Sequence, residues 1–353
     1  MLFTIISFII VLGILIFVHE FGHYIVAKAV GIRVEEFALG FGPKLISHTK
    51  GETAYSIRIV PLGGFCNMTG EFIPDEDMEN EERKLYEETK EEGRCFHQQP
   101  LYQRFLVVVM GPAMNFLLAM LLFVFIFYGF AFPVLDSTEL GSVESGLPAA
   151  EAGLRPGDKI ESVDGNQVSN WTQIQGAIST VEPDSEINIY FNREGQRREV
   201  TLSPVEQDNY LIIGIGPRTS EGFSLFTSLK QGILTGSHLT VQIILAFGDL
   251  IKGGIGSEDV GGPVMIASLS GQAARQGLPD FMNFIALISI NLGIINLFPI
   301  PALDGGRIFF MAIEAVRGKP IDPEKEGFVH LVGFVLLMVL MVFIVFLDLK
   351  RLF

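Results

Sequence analysis

The chain is long and strongly apolar. It has 353 residues, 49% of them hydrophobic, and a formal net charge of −15 at neutral pH. This composition excludes an ordinary soluble protein and predicts several membrane spans with a folded module. The negative charge argues against nucleic acid as a partner, because proteins that bind it neutralise phosphates with lysine and arginine. The two cysteines, Cys66 and Cys95, have no CxxC spacing and indicate no disulfide framework.

Residues 2–27 form an almost unbroken apolar run that contains His19, Glu20 and His23. About twenty apolar residues cross a bilayer, and the run lacks a basic start and a cleavage site, so we expect it to be retained. Ionisable side chains within a span are costly and mark a functional site. Positions i and i+4 share one helix face, so the two histidines are candidate ligands of one metal, with Glu20 placed as in HExxH zinc hydrolases. The alternative is hydrogen-bonded core histidines, and it weakens inside a span because three unpaired polar side chains there would be costly.

Residues 31–70 alternate apolar and polar side chains between turn signals at 40–44 and 61–65. This pattern predicts short strands and hairpins. We expect strand-like backbone folded against the membrane site, with an edge that receives an extended substrate; a small cytosolic β-module is the alternative. Residues 71–94 contain eleven acidic and four basic side chains, which favours a solvated loop without chemistry.

A second span at about 104–130 is interrupted by Gly111, Pro112 and Asn115. Small residues allow helices to approach closely. We expect Asn115 to hydrogen-bond between helices close to the site, and a place in the active-site wall is the alternative.

Residues 131–217 change character to short alternating strands and turns. The spacing GLRPGDKI…DGNQV resembles the PDZ domains of bacterial proteases. Such domains bind extended peptides, often chain ends, beside a sheet edge, and residues 211–216 are the expected lining of that groove. The alternative is a spacer that only restricts access.

Residues 222–252 are apolar but diluted by polar side chains, so we predict an amphipathic interfacial helix that does not cross. A third span at 281–300 runs into NLFPIPALDGG at 296–306, and a fourth covers about 327–348. Prolines in the NLFPIPALDGG segment free backbone groups, which lipid penalises unless the segment faces a cavity.

Catalytic zinc takes three protein ligands, so one ligand must lie outside the first span. If 222–252 does not cross, the third span runs in the same direction as the first, and Asp304 arrives at the depth of His19. His330, at the start of the fourth span, is the second candidate. Basic residues in the first and third loops make those loops cytoplasmic by the positive-inside rule, although Lys350 and Arg351 contradict this mildly.

Three features together resemble the site-2 protease family of intramembrane zinc metalloproteases: HEFGH at 19–23, the PDZ-like insert and NLFPIPALDG at 296–305. More narrowly, the chain is similar to the bacterial regulator of sigma-E protease group, as a member with one PDZ domain. The resemblance implies zinc bound by His19, His23 and Asp304, with Glu20 activating water. It further implies that the substrate contacts Asn296 and three residues of the β-hairpin, namely Gly40, Phe41 and Gly42.

The implied activity is regulated intramembrane proteolysis of single-span proteins, such as anti-sigma factors or remnant signal peptides. The implied location is the bacterial inner membrane, with the active site toward the cytoplasm and the PDZ domain outside. The expected partners are the transmembrane substrates, the lipid bilayer and peptide termini at the PDZ domain. A zinc transporter or metal-binding membrane protein is the alternative, and it needs neither Glu20 nor a peptide-binding domain.

The predicted fold is an α-helical polytopic membrane protein with four transmembrane helices, a membrane-associated β-hairpin region and an inserted PDZ domain. Its segments are 1–28 (first span), 29–103 (β region and acidic loop), 104–130 (second span), 131–217 (PDZ domain), 218–280 (amphipathic gating helices), 281–306 (third span) and 327–349 (fourth span).

Overall fold

The computed structural model describes residues 2–71, 80–130, 132–181, 185–207, 210–220, 222–252 and 261–352. The helices are α1 (Leu2–Ala29), α2 (Asn80–Glu91), α3 (Leu101–Gly129), α4 (Pro148–Glu151), α5 (Trp171–Ser179), α6 (Leu225–Ile251), α7 (Pro263–Gln276), α8 (Leu278–Leu297), α9 (Asp304–Arg317) and α10 (Pro323–Leu352). The strands are β1 (Val34–Lys50), β2 (Thr53–Met68), β3 (Phe132–Pro133), β4 (Leu140–Val143), β5 (Lys159–Val163), β6 (Asn166–Gln167), β7 (Ile187–Arg193), β8 (Gln196–Leu202), β9 (Val205–Gln207), β10 (Tyr210–Ile212), β11 (Ile215–Pro217) and β12 (Thr219–Ser220).

The chain forms two compact units, one made of Met1–Ile126 with Leu229–Phe353 and the other of Phe127–Ser228. The first unit is mainly helical. Within it, Val11, Leu15 and Ile285 form a buried cluster between α1 and α8, with partly buried side chains of α3 packed against it.

Five helices of the described residues are long and apolar enough to cross a membrane. Four of them correspond to the predicted spans. The fifth is Leu225–Leu250 in α6, which is the least apolar of the five. Even with its polar side chains, this helix is apolar enough to be a candidate span. Gly232 of α6 packs against Val124 and Gly236 packs against Met120, so α6 runs antiparallel along α3. Exactly four crossings therefore stays a prediction.

The hairpin of β1 and β2 is antiparallel with repeated shifts of register. Because of these shifts, residues 36–39 of β1 pair with 54–57 on one side and with 64–67 on the other. Residues 46–50 pair with 53–57 from the far side. The row 64–67 therefore lies at an edge of the sheet, and no further strand of the described residues pairs with it.

The second unit has a core of its own, built from the inward faces of its strands and of α5. Fully buried members include Ile160, Ile174 and Phe191. Asp164 and Gly165 form the turn between β5 and β6, with φ of 46° and 79° at the two residues. Residues 211–216 are not one strand, because Gly214 adopts a φ of +83° and separates β10, which pairs with β9, from β11, which pairs with β4.

Candidate metal centre and active-site cavity

Three side chains from distant parts of the chain meet beside α1. His19 and His23 lie on one face of that helix, and Asp304 is the first residue of α9. The Nε2 atoms of the two imidazoles are 3.3 Å apart. Oδ2 of Asp304 lies 3.1 Å from Nε2 of His19 and 3.5 Å from Nε2 of His23. The structure thus brings together the three residues that the sequence nominated as metal ligands.

The donor set and its spacing fit a divalent metal. Ligands bound at about 2.0–2.1 Å in a tetrahedron are separated by roughly 3.3 Å, which is close to the three separations observed. Oδ2 of Asp304 is buried and has no hydrogen-bond partner among the described residues. A buried carboxylate oxygen without a donor is costly, and a cation at this point satisfies it. Two imidazoles and a carboxylate are a ligand set that zinc prefers.

His23 is already oriented for this role by α3. Its Nδ1 lies 2.9 Å from the backbone carbonyl oxygen of Val107. A carbonyl only accepts hydrogen bonds, so Nδ1 carries the proton and donates it. The lone pair of Nε2 is therefore free and points at Asp304. A backbone carbonyl that fixes the tautomer in this way is a typical partner of a metal-binding histidine.

Asn115 of α3 holds the second imidazole. Its side-chain amide lies 3.1 Å from Nδ1 of His19, and the residue is fully buried. A His19 that binds metal through Nε2 carries its proton on Nδ1, so the amide must present its oxygen to the ring. That orientation also gives the oxygen a donor, which it lacks among the described residues in the opposite orientation. The backbone carbonyl of Asn115 accepts from Ser289 Oγ at 2.8 Å, which ties α8 to the same point.

Gly111 allows α3 to approach the imidazoles. A Cβ at this position would lie 2.3 Å from Nε2 of His23 and 3.0 Å from Cε1 of His19. Such distances are well below van der Waals contact. Only glycine therefore lets the α3 backbone form the wall behind the two histidines.

The loop from residue 298 to 303 delivers Asp304 to the site. Ala302 has a φ of +75°, in the left-handed region that residues with a Cβ rarely adopt. Its backbone N–H donates to Nδ1 of His330 at 2.9 Å. His330, the second candidate for a metal ligand, is thus engaged with the loop, and the cluster of possible metal ligands found among the described residues consists of His19, His23 and Asp304.

A cavity of about 630 Å³ opens over the three candidate ligands. Glu20 and Asn296 line it together with the ligands, as does the edge row of β2. Its size is in the range of enzyme binding sites. Glu20 thus shares a single cavity with the group of candidate ligands, and Gly64 of the edge row packs beside it.

The three hairpin residues nominated as substrate contacts differ in position. Phe41 lines the cavity, is 47% exposed and stacks on Phe65 with ring centroids 6.4 Å apart. Gly40 and Gly42 have φ of +90° and +83° and form the bends that place the Phe41 ring. The structure therefore brings one of the three to the cavity wall.

Two charged residues of the cavity wall were not predicted from the sequence. Glu71, at the start of the acidic loop, forms an ion pair with Arg307 of α9, and both line the cavity. Position 307 is one helical turn after Asp304, so helical spacing could have pointed to the arginine. Nothing in the acidic run distinguished Glu71 from its neighbours.

Burial, with the Glu20 and Glu71 carboxylates nearby, raises the pKa of the Cys66 thiol in the cavity wall, so the thiol stays protonated.

Comparisons with known proteins agree with this chemistry. The profile of peptidase family M50 matches residues 7–340. The zinc metalloprotease RasP of Geobacillus kaustophilus is 36% identical, with 99% of this chain and 98% of that protein aligned. The regulator of sigma-W protease RasP of Bacillus subtilis is 33% identical, with 99% of both chains aligned.

Among solved structures, the PDZ domain of an SdrC-like protein from Listeria monocytogenes is similar to part of this chain. The identity is 21%, the match covers 23% of this chain and 87% of that domain, and the TM-score is 0.21. The PDZ domain at residues 131–217 stays a prediction.

Proposed function

Because this chain belongs to peptidase family M50 and is a zinc metalloprotease, we propose that it hydrolyses peptide bonds within the transmembrane segments of single-span membrane proteins. The observation that carries the proposal is the position of the ligand cluster. His19 and His23 lie in the second half of a helix long and apolar enough to cross a membrane, and a cavity with a strand edge opens over them.

In this proposal His19, His23 and Asp304 hold the zinc ion. Bound zinc lowers the pKa of water toward neutrality and polarises a carbonyl group, which is the chemistry that peptide hydrolysis needs. Glu20 accepts a proton from the attacking water at its carboxylate and returns it to the leaving amine. Asn115 and the Val107 carbonyl hold the two imidazoles in the tautomer that leaves both Nε2 atoms free.

The substrate must be extended before it is cut, because a transmembrane helix hides its peptide bonds in intrahelical hydrogen bonds. The edge row 64–67 lines the cavity, and no other strand of the described residues pairs with its outer side. Strand addition to this edge replaces the hydrogen bonds that the unwound segment loses. Asn296 lines the same cavity at the end of α8, and its amide supplies a further donor and acceptor to the substrate backbone.

The natural substrates in this proposal are membrane-anchored anti-sigma factors already trimmed outside, or remnant signal peptides. The protein is a multi-pass protein of the bacterial cytoplasmic membrane with the active site toward the cytoplasm. Residues 131–217 form an extracytoplasmic PDZ domain that binds peptide termini or filters substrates by size. Four helices cross, and α6 lies against α3 as part of a gate beside the entry route.

The proposal is tested by cleavage of a single-span reporter with a short ectodomain, using the purified full-length protein in detergent. We expect wild type to cut within the span, and both Glu20→Gln and chelation of the metal to abolish cleavage. Glu81→Gln, which alters an exposed carboxylate on α2, is the matched control and should cut like wild type. Intact proteolysis by Glu20→Gln would refute the assigned base. Loss of cleavage in every sample despite bound zinc would favour the transport alternative.

The strand-addition step has its own test. Successive N–H groups of a strand point to opposite sides. Of the two variants Phe65→Pro and Cys66→Pro, one therefore removes a donor on the outer side of the edge row, and the other disturbs the pairing with β1. We expect the first kind of variant, and Asn296→Ala, to lose cleavage of intact spans but to keep cleavage of short unstructured peptides. Unchanged cleavage of intact spans by all three would show that the edge and the amide do not hold substrate.

A further inference from the structure

His330 lies on α10, twenty-six residues beyond the candidate metal ligand Asp304, yet it contacts the loop that delivers that ligand. Its Nδ1 accepts a hydrogen bond from the backbone N–H of Ala302 at 2.9 Å. Ala302 is two residues before Asp304. The contact therefore joins the last long helix to the segment that sets where the carboxylate lies.

The loop needs such support because its backbone is unfavourable at this point. Ala302 has a φ of +75°, and a residue with a Cβ adopts this conformation only when its surroundings impose it. Local hydrogen bonds hold the flanking residues, from Ile300 N–H to Phe298 O and from Leu303 N–H to Ile300 O. The N–H of Ala302 points away from these turns and toward α10.

α10 contacts the loop again one turn later. A Cβ at Gly333 would lie 2.4 Å from the Cβ of Pro301 and 2.7 Å from its carbonyl oxygen. Positions 330 and 333 share a helix face. Two successive turns of α10 thus bear on Pro301 and Ala302, one by close backbone packing and one by a hydrogen bond.

The imidazole is fixed in one protonation form by these contacts. Nδ1 accepts from a backbone N–H, so a neutral ring carries its proton on Nε2. That nitrogen is buried, without a hydrogen-bond partner among the described residues, and the nearest carboxylate oxygen, from Glu326, is 3.9 Å away. The ring of Phe310 packs on it with centroids 5.6 Å apart. The side chain is only 14% exposed.

We propose that His330 is a positioning residue for the metal centre: through the N–H of Ala302 it holds the 298–303 loop in the conformation that presents Asp304 to His19 and His23. The inference rests on the proposed function, since it assumes that these three residues bind the metal. His330 is neither one of the candidate ligands nor part of the cavity wall, so it acts only on the fraction of molecules in which Asp304 is in place.

The test is zinc affinity, measured by competition with a chelator on the purified full-length protein in detergent. His330→Leu removes the acceptor and should weaken zinc binding about ten-fold, the lower end for partners that orient a metal ligand. His330→Asn places its amide oxygen where Nδ1 was and should bind zinc nearly as wild type does. His330→Gln carries its amide one bond further out and should be weakened like His330→Leu.

The two polar variants keep the test decisive if the leucine variant does not fold. His238→Leu is the matched control, an exposed histidine in the long apolar helix α6, and it should leave zinc affinity unchanged. Wild-type affinity in both His330→Leu and His330→Gln would overturn the inference, as would equal weakening in His330→Asn and His330→Gln. Asp304→Asn separates the failure of the proposed metal site from the failure of the proposed role of His330. If this variant leaves zinc affinity unchanged, the metal site is wrong. If it abolishes zinc binding, the metal site is right and the variants at position 330 test the positioning role by itself.

Discussion

At the scale of single residues, the candidate metal centre depends on the absence of a side chain at one position as much as on its candidate ligands. Gly111 places bare backbone against both imidazoles, and the α1 residue Gly22 does the same against α3, where a Cβ would lie 2.3 Å from the Met110 carbonyl oxygen. The two helices therefore approach more closely at the site than larger residues would permit. This approach is what brings the Val107 carbonyl within hydrogen-bond distance of His23.

We predict that Gly111→Ala weakens zinc binding about ten-fold or more, because the added methyl group occupies the position of the His23 ring and forces it to turn. Chelator competition on the purified protein measures the effect. Gly13→Ala on α1, where a Cβ meets nothing within 4 Å, is the control and should keep wild-type affinity. Equal affinities of the two variants would mean that the helices separate without disturbing the ligands.

The ligands and their supports differ in how far sequence predicts them. His19, Glu20 and His23 share a short motif whose helical spacing already places them on one helix, and Asp304 stands out as an acid in a Pro- and Gly-rich segment beside a span. The role of His330 depends on a backbone N–H, a group that every residue except proline has. No residue type signals it, so only the folded backbone reveals the contact.

At the scale of elements, the hairpin is anchored at its turn by one carboxylate. Glu52, between β1 and β2, accepts from Arg94 Nη2 at 2.7 Å and also forms an ion pair with Lys28. The hydrogen bond from Arg94, assisted by Lys28, lowers the pKa of Glu52 from 4.5 to about 2. Through Lys28 and Arg94, Glu52 joins the hairpin turn to the end of α1 and to the segment that precedes α3.

We predict that Glu52→Gln lowers the free energy of unfolding by about 1 kcal/mol at pH 7, a value reduced by the partial exposure of the pair. A lowered folded-state pKa stabilises the protein above the unfolded value, so the difference should be full above about pH 4.5 and shrink as the pH falls toward about 2. Denaturation at pH 7, 5 and 3 measures it. A difference that is independent of pH would show that packing, not charge, is lost; Glu81→Gln is the exposed-carboxylate control.

Elements were predictable where length and period decide them. Long apolar runs identified α1, α3, α8 and α10, and alternation identified a β region at 31–70. The edge row 64–67 was not predictable, because the register shifts that place it are set by the bends at glycines such as Gly40. Residues 222–252 were ambiguous from the sequence, because their hydropathy lies between that of a surface helix and that of a typical span. Packing of α6 along α3 decides where these residues lie.

At the scale of the whole molecule, the inserted unit begins and ends at adjacent points. β3 pairs with β12 through Pro133 and Thr219, so the two ends of segment 134–218 lie next to each other. Paired residues of neighbouring strands have Cα atoms about 5 Å apart. A short linker is therefore long enough to replace residues 134–218.

We predict that replacing residues 134–218 with a short glycine linker lets the enzyme cut reporters with bulky ectodomains, while reporters with short ectodomains are cut as by wild type. The reason is that the proposed size filter is lost and the helical unit keeps its metal ligands. The measurement is cleavage of matched reporters by both proteins. If the bulky reporters stay uncut by the shortened protein, the unit does not act as a size filter.

The ion pair of Glu71 and Arg307 has a thermodynamic consequence. Glu71 lies four residues after the edge row, and Arg307 lies on α9, the helix that begins with Asp304. The other end of α9 is held by the ion pair of Arg104 and Glu314. If a polypeptide binds at the edge as proposed, this ion pair connects its site to the helix that carries the candidate metal ligand Asp304. Binding free energies are linked in both directions, so a substrate that tightens the metal must itself be bound more tightly by the metal-loaded protein, by the same factor.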